Sequence, residues 1–277
     1  MNKLFTLIAE WLRSIGGADT SGPQDGSEYP EVDWDTLDVS APDPILGEDP
    51  AVDVPVEDPL DPADPHVPRY LWLLDAGHGP GTPGKRSPVL EDGRQFFEYE
   101  FNRTVLKNVY ARLSGLGVQF VELVKDEDGD LSLTERVKRA NKAGGNLPGI
   151  FVSVHANAST MGDWETRDIR GTETWYYGSS SNGKRVASAF HRLTLKKLGL
   201  KDRGIKYVEP NSKSFYVLRK TTMPAVLLEI GFYTHRDEVL VLLDNQKRKD
   251  VAAGIVEAIL EIARKGMEEI TYHPKVN

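Results

Sequence analysis

Tyr70–Gly79 reads YLWLLDAGHG, an apolar and aromatic run that ends in an acid and a Gly-His turn. A short apolar run closed by turn residues reads as a buried strand. Two later stretches follow the same rule: Gly149–Asn157 (GIFVSVHAN) and Ala225–Gly231 (AVLLEIG). In an open α/β sheet, ligands and catalytic groups collect outside the carboxyl ends of the strands, where the loops converge. His78, His155 and Glu229 therefore fall at one edge of a sheet, each at or just past the end of a separate apolar strand.

Outward from these runs, amphipathic stretches alternate with apolar ones. Periodicity predicts strands over Tyr70–Leu74, Val118–Val124, Gly149–Val154, Gly171–Tyr177, Phe215–Leu218 and Ala225–Ile230. Helical spacing covers Glu98–Leu116, Leu131–Ala143, Asn182–Leu198 and Asp250–Lys265. Such alternation implies βα units, hence an α/β fold with a mostly parallel twisted sheet of about six strands and helices on both faces.

Upstream the composition changes. The chain has 277 residues and net charge −8, yet no Lys or Arg stands between Ala18 and Pro68, a segment dense in Asp, Glu and Pro. Such a segment buries too little apolar surface to offset its ordering entropy. Residues 16–68 read as an extended acidic linker, and the part from Arg69 onward is mildly basic. Residues 1–15 carry Leu4, Phe5, Leu7, Ile8, Trp11, Leu12 and Ile15 at helical spacing, an amphipathic helix suited to docking on a protein or a membrane surface. Glu10 and Arg13 break this run, so it does not read as a classical secretory signal. Three parts are expected: an amphipathic helix at 1–15, the linker at 16–68 and a catalytic domain at 69–277.

With no cysteine, neither disulfides nor thiolate metal sites are available, and a metal must be held by His and carboxylates. His78 lies in the bulk-free loop GHGPGTPG, open to close approach by a ligand; taken alone it is an ordinary loop histidine. His155 follows β-branched and aromatic residues, where an imidazole satisfied by the backbone is the plainer reading. A carboxylate inside AVLLEIGF is costly to desolvate, so Glu229 is neutral, paired or beside a cation. An ion pair with an arginine is the bland account, and a poised general base the functional one. Two histidines with one carboxylate and an open position form a catalytic zinc arrangement. Asp75, Glu98 and Glu100 are the candidates for the acid, and residue chemistry alone leaves them unranked.

The succession LLDAGHGPGTPG, EYEFN, LSLTERVKRAN, IFVSVHANA, GTETWYY and YVLRKTTMPAVLLEIGFYTH resembles the zinc-dependent N-acetylmuramoyl-L-alanine amidases of the type-3 class, from Tyr70 to Lys265. The resemblance implies His78, Glu98 and His155 as ligands of one zinc ion, Glu98 being the acid four residues before Asn102. It implies Glu229 as general base and acid, and peptidoglycan as substrate, with no nucleic-acid partner. It also implies action on the cell wall, as a phage endolysin or as a cell-separation enzyme; the lack of a classical signal and of cysteine favours the lysin, made in the cytoplasm, and a virion-associated wall-binding module is the non-enzymatic alternative. Arg136 and Asn141 read as structural pairs, Thr234 with Asp237 as a helix cap, and His66, His191, His235 and His273 as outside the site. The loop Ala158–Arg170 is expected to border the groove.

Overall fold

The computed structural model describes residues 60, 70–144 and 148–271. The expected helix at 1–15, nearly all of the 16–68 linker, His66 and His273 lie outside the described residues. Leu60 belongs to the expected linker but is buried in the main core, and its N–H donates to Leu116 O at 2.9 Å.

Six strands form one sheet: β1 (Leu71–Ala76), β2 (Gln119–Glu122), β3 (Gly149–Asn157), β4 (Thr172–Tyr177), β5 (Asp202–Val208) and β6 (Ala225–Phe232). Their order is β2-β1-β3-β6-β4-β5, with every neighbouring pair parallel except β4 and β6. Central strands β1, β3 and β6 are almost entirely buried, which is why they read as continuous apolar runs.

Side chains alternate across the sheet, and the two faces are covered unequally. Trp72, Leu74, Ile150, Val152, Val154, Leu228 and Ile230 join the large core built with α1 (Glu98–Leu113), α3 (Ser181–Leu198) and α6 (Asn245–Lys265). On the opposite face Leu71, Leu73, Phe151, Ala225 and Leu227 form a smaller cluster with α2 (Leu133–Gly144) and the short α4 (Tyr216–Lys220), through Val137, Ala140, Val217 and Leu218. This thinner cover leaves the carboxyl ends of β1, β3 and β6 accessible from that side.

Three expectations change. Phe215–Leu218 is no strand: Phe215 takes a left-handed conformation and starts α4, which Asn141 secures by donating to Lys220 O and accepting from Thr222 N. An apolar run this short has no decisive period, and packing of Val217 and Leu218 on α2 decides it. The sixth strand is Asp202–Val208, an edge strand whose charged sequence lacks the buried pattern. The cap of α5 (Arg236–Leu243) is His235, whose Nδ1 accepts from Asp237 N at 3.3 Å, whereas Thr234 Oγ1 accepts from Ser159 N.

Helices α3 and α6 pack along each other, with Gly254 at the contact. A Cβ there would lie 2.7 Å from Thr194 Cα, on backbone that cannot rotate away. Gly254→Ala gains roughly 1 kcal/mol of helix propensity, and overpacking costs about 1–3 kcal/mol. We expect a lower urea midpoint with unchanged slope, the opposite sign to an exposed helical Gly→Ala change; a raised midpoint would show that the helices separate freely.

Candidate metal centre

Where β1 leaves the sheet, only glycine fits: a Cβ on Gly77 would lie 2.1 Å from His155 Cε1. His78 follows with φ 61, a left-handed conformation costing a side-chain-bearing residue about 1–3 kcal/mol. Neighbouring hydrogen bonds impose it. Asn102 Nδ2 donates to Gly77 O at 2.9 Å, and Arg136 donates to Ala76 O and to His78 O. The guanidinium also bonds Asp75 Oδ1 at 2.7 Å, and Asp75 Oδ2 accepts from Ser153 Oγ at 2.6 Å. That serine hydroxyl lies 3.1 Å from His155 Nε2, so the chain of contacts runs from α2 to the imidazole.

Glu98 opens α1, almost wholly buried, with its N–H donating to Lys85 O. Its Oε1 lies 3.0 Å from His155 Nδ1 and 3.3 Å from His78 Nε2, and accepts from Ala156 N. Asn102 stands one turn later on the same helix face. The spacing E-x-x-x-N thus joins the carboxylate to the amide that holds the Gly-His turn. Burial opposes the charge on Glu98, but hydrogen bonds with His155 and His78 outweigh it and hold the carboxyl far below its usual range. Burial pushes His155 down, aided by the charge of His78 and opposed by Glu98.

Glu229 is the register partner of His155 on β6. Burial, reinforced by the charge of Glu98, raises its carboxyl well above the ordinary value. Oε2 of Glu229 and Oε2 of Glu98 are both buried and without hydrogen-bond partners among the described residues. Lys85 Nζ stands 3.8 Å from Glu98 Oε2, beyond hydrogen-bond reach.

The donor atoms of His78, Glu98 and His155 lie within 4.8 Å of one another. Edges of 3.0 and 3.3 Å are near the roughly 3.3 Å between ligands on a tetrahedral zinc. Buried charges in proteins are paired or coordinate metals, and Glu98, held ionised, keeps a buried Oε2 with no hydrogen-bond partner among the described residues and only Lys85 at 3.8 Å. The residues present therefore fit one zinc ion.

His78, Lys85, His155 and Glu229 line a 430 Å³ cavity, with Leu131, Leu133, Phe215 and Tyr216 contributing apolar and aromatic surface. A larger cavity, 670 Å³ between α1 and β2, contains none of these groups. Residues 158–170, expected at the groove, do not line the cavity; Trp164 packs against the core beneath Arg236. Of the other acids, Asp75 is committed to Arg136 and Ser153, and Glu100 contacts Tyr99 at the exposed surface. His191 lies between Thr174 and Asp202, and His235 pairs with Asp168.

Sequence reading missed Glu173. It stands directly opposite Glu229 in the antiparallel β4–β6 pair, and accepts from Asn157, Trp175, Arg203 and Lys206. Its one signal was an acid at an alternating position of an otherwise β-prone run, GTETWYY.

The sequence profile of the family described as N-acetylmuramoyl-L-alanine amidase matches residues 73–261. An endolysin of Bacillus phage SPP1 is 36% identical over 201 residues, covering 70% of this chain and 66% of the lysin. The amidase LytC of Bacillus subtilis is 32% identical over 196 residues, 70% of this chain and 35% of LytC. The chain thus spans less than two thirds of either relative's length. Among solved structures, the catalytic domain of CwlV from Bacillus (Paenibacillus) polymyxa var. colistinus superposes with a TM-score of 0.57 at 34% identity, covering 69% of this chain and 97% of that domain.

If the Gly-His turn and the imidazole are as tightly nested as these distances indicate, Gly77→Ala displaces His155. Zinc affinity, read by competition with a chromogenic chelator, should fall at least tenfold while far-ultraviolet circular dichroism stays unchanged. Unaltered affinity would show that the turn is not needed to place the ligand.

Proposed function

On the premise that this chain belongs to the N-acetylmuramoyl-L-alanine amidase family, we propose that it hydrolyses the amide between the lactyl group of N-acetylmuramic acid and L-alanine in peptidoglycan. One observation carries the reading: Glu229, with a buried Oε2 that has no hydrogen-bond partner among the described residues, beside a cluster of two histidines and one carboxylate on a cavity wall. In this reading His78, Glu98 and His155 hold one zinc ion. Zinc, when bound, supplies the Lewis acidity that makes water nucleophilic near neutral pH and stabilises charge developing on the amide oxygen.

The remaining work falls to side chains. Glu229 takes a proton from the attacking water and delivers it to the departing alanine nitrogen, so that amide and water become acid and amine. Its apolar setting suits the role, because a carboxyl group with a raised pKa both accepts and returns a proton near neutrality. Arg136, through Asp75 and Ser153, orients the imidazole of His155. Leu131 and Phe215 help exclude bulk water from the cavity.

The likeness to a phage endolysin supports wall lysis as the biological setting. The acidic segment upstream of Leu60 then acts as a tether for the catalytic domain, which Leu60 already joins, and residues 1–15 act as its docking segment.

Digested sacculi analysed by mass spectrometry should release intact stem peptides bearing a new alanine amino terminus; cleavage within the stem would overturn the assignment. Glu229→Gln should lower kcat by about 10²–10⁴ with zinc content preserved, and loss of metal in that variant would show a ligand role instead. Dialysis against a strong chelator should abolish turnover, and added zinc should restore it; full activity of metal-free protein would refute the zinc assignment.

A further inference from the structure

Beyond Glu229 the same face of the sheet continues across two more strands. Residues directly opposite in an antiparallel pair share a face, so Glu173 on β4 stands beside Glu229, and Trp175 beside Leu227. On the neighbouring edge strand, Lys206 is in register with Trp175. Glu173 is almost fully buried and four donors converge on it: Asn157 at 3.1 Å, Trp175 Nε1 at 3.0 Å, Arg203 at 2.7 Å and Lys206 at 2.5 Å. Both cations reach the same oxygen, Oε2.

One carboxylate oxygen is thus shared by two cations. These cations also remain accessible, with side-chain exposures of 27% for Arg203 and 32% for Lys206. Lys206 lies 5.3 Å over the Trp175 ring, and Trp175 stacks on Phe215 at 4.7 Å. Phe215 lines the cavity that holds Glu229, and is one of three non-glycine residues with positive φ among those described. A strained residue is retained where the surroundings over-determine it, often at a ligand site. The stacked pair Phe215–Trp175 thus links the cavity of Glu229 to the two cations, which lie beyond the residues that line it.

Resting on the amidase reading above, we propose that Arg203 and Lys206 are specificity residues that bind a free carboxylate of the peptide stem beyond the scissile amide. Two strand spacings separate Glu229 from β5, about 10 Å. Extended peptide covers about 3.3–3.6 Å per residue, so a carboxylate two to three residues into the stem arrives at the cations. Muramoyl and glucosaminyl rings carry no free carboxylate once the lactyl group is amidated, which leaves the stem as the acidic part of the substrate. Glu173 holds the two cations side by side, so they need little reordering on binding.

The test compares two synthetic N-acetylmuramoyl peptides, one with the stem carboxylates free and one with them amidated, using the full chain loaded with zinc. Wild type should favour the free acid by roughly tenfold or more in kcat/KM, the range expected of a charge-assisted hydrogen bond. Lys206→Met should erase that preference through KM, Lys206→Arg should keep it, and zinc content should be equal in all three. Wild type that cleaves both peptides equally well overturns this inference and leaves the amidase reading intact. A Lys206→Met variant impaired to the same degree on both peptides also overturns it, assigning the cations to upholding Glu173 or to another wall anion such as phosphate. Wild type that cleaves neither peptide refutes the amidase reading, and this inference falls with it.

Discussion

The buried ion pair between Arg136 and Asp75 is the contact on which the site depends. A single guanidinium bonds Asp75, the carbonyls of Ala76 and His78, and Leu131 O. It thereby fixes the end of β1, the strained Gly-His turn and the approach to α2. Planar geometry with five donors lets arginine do this where lysine, a point charge, could not. Removing one partner of such a pair leaves an unpaired buried charge and costs about 3–5 kcal/mol. The polar chain extends from Asp75 through Ser153 to His155, so the imidazole orientation and the turn geometry share one support.

A second constraint comes from the unequal cover of the sheet. Helices α1, α3 and α6 seal one face with a large apolar core, whereas α2 and α4 cover only part of the other. Polar side chains are tolerated on the thinner side where the strands end. There the register aligns His155, Glu229 and Glu173 across β3, β6 and β4. The antiparallel placement of β4 brings Glu173 level with the site, and the four donors around it keep its charge low in energy despite burial. Neighbouring acids thus have opposite fates: Glu173, with four donors, is held in the ionised form, and Glu229, with none at Oε2, is pushed toward the neutral one.

Amino-acid sequence alone determined the α/β class, because buried parallel strands must be apolar throughout and their connecting helices amphipathic. For the same reason it placed His78, His155 and Glu229 at one sheet edge, polar groups at the ends of apolar runs being conspicuous. Three other features were decided only in the folded chain. The choice of Glu98 over Asp75 and Glu100 as the acid nearest the histidines is a matter of distance, and residue chemistry had left it open until a family resemblance was invoked. Phe215–Leu218 became a helix and Asp202–Val208 a strand, since a short apolar run has no decisive period and an edge strand need not be apolar. Glu173 acquired its place beside Glu229 from the β4–β6 pairing, a juxtaposition of residues 56 positions apart that no local pattern encodes. Local sequence records which side chains must avoid water; which of them meet is set by strand order and register, properties of the whole chain.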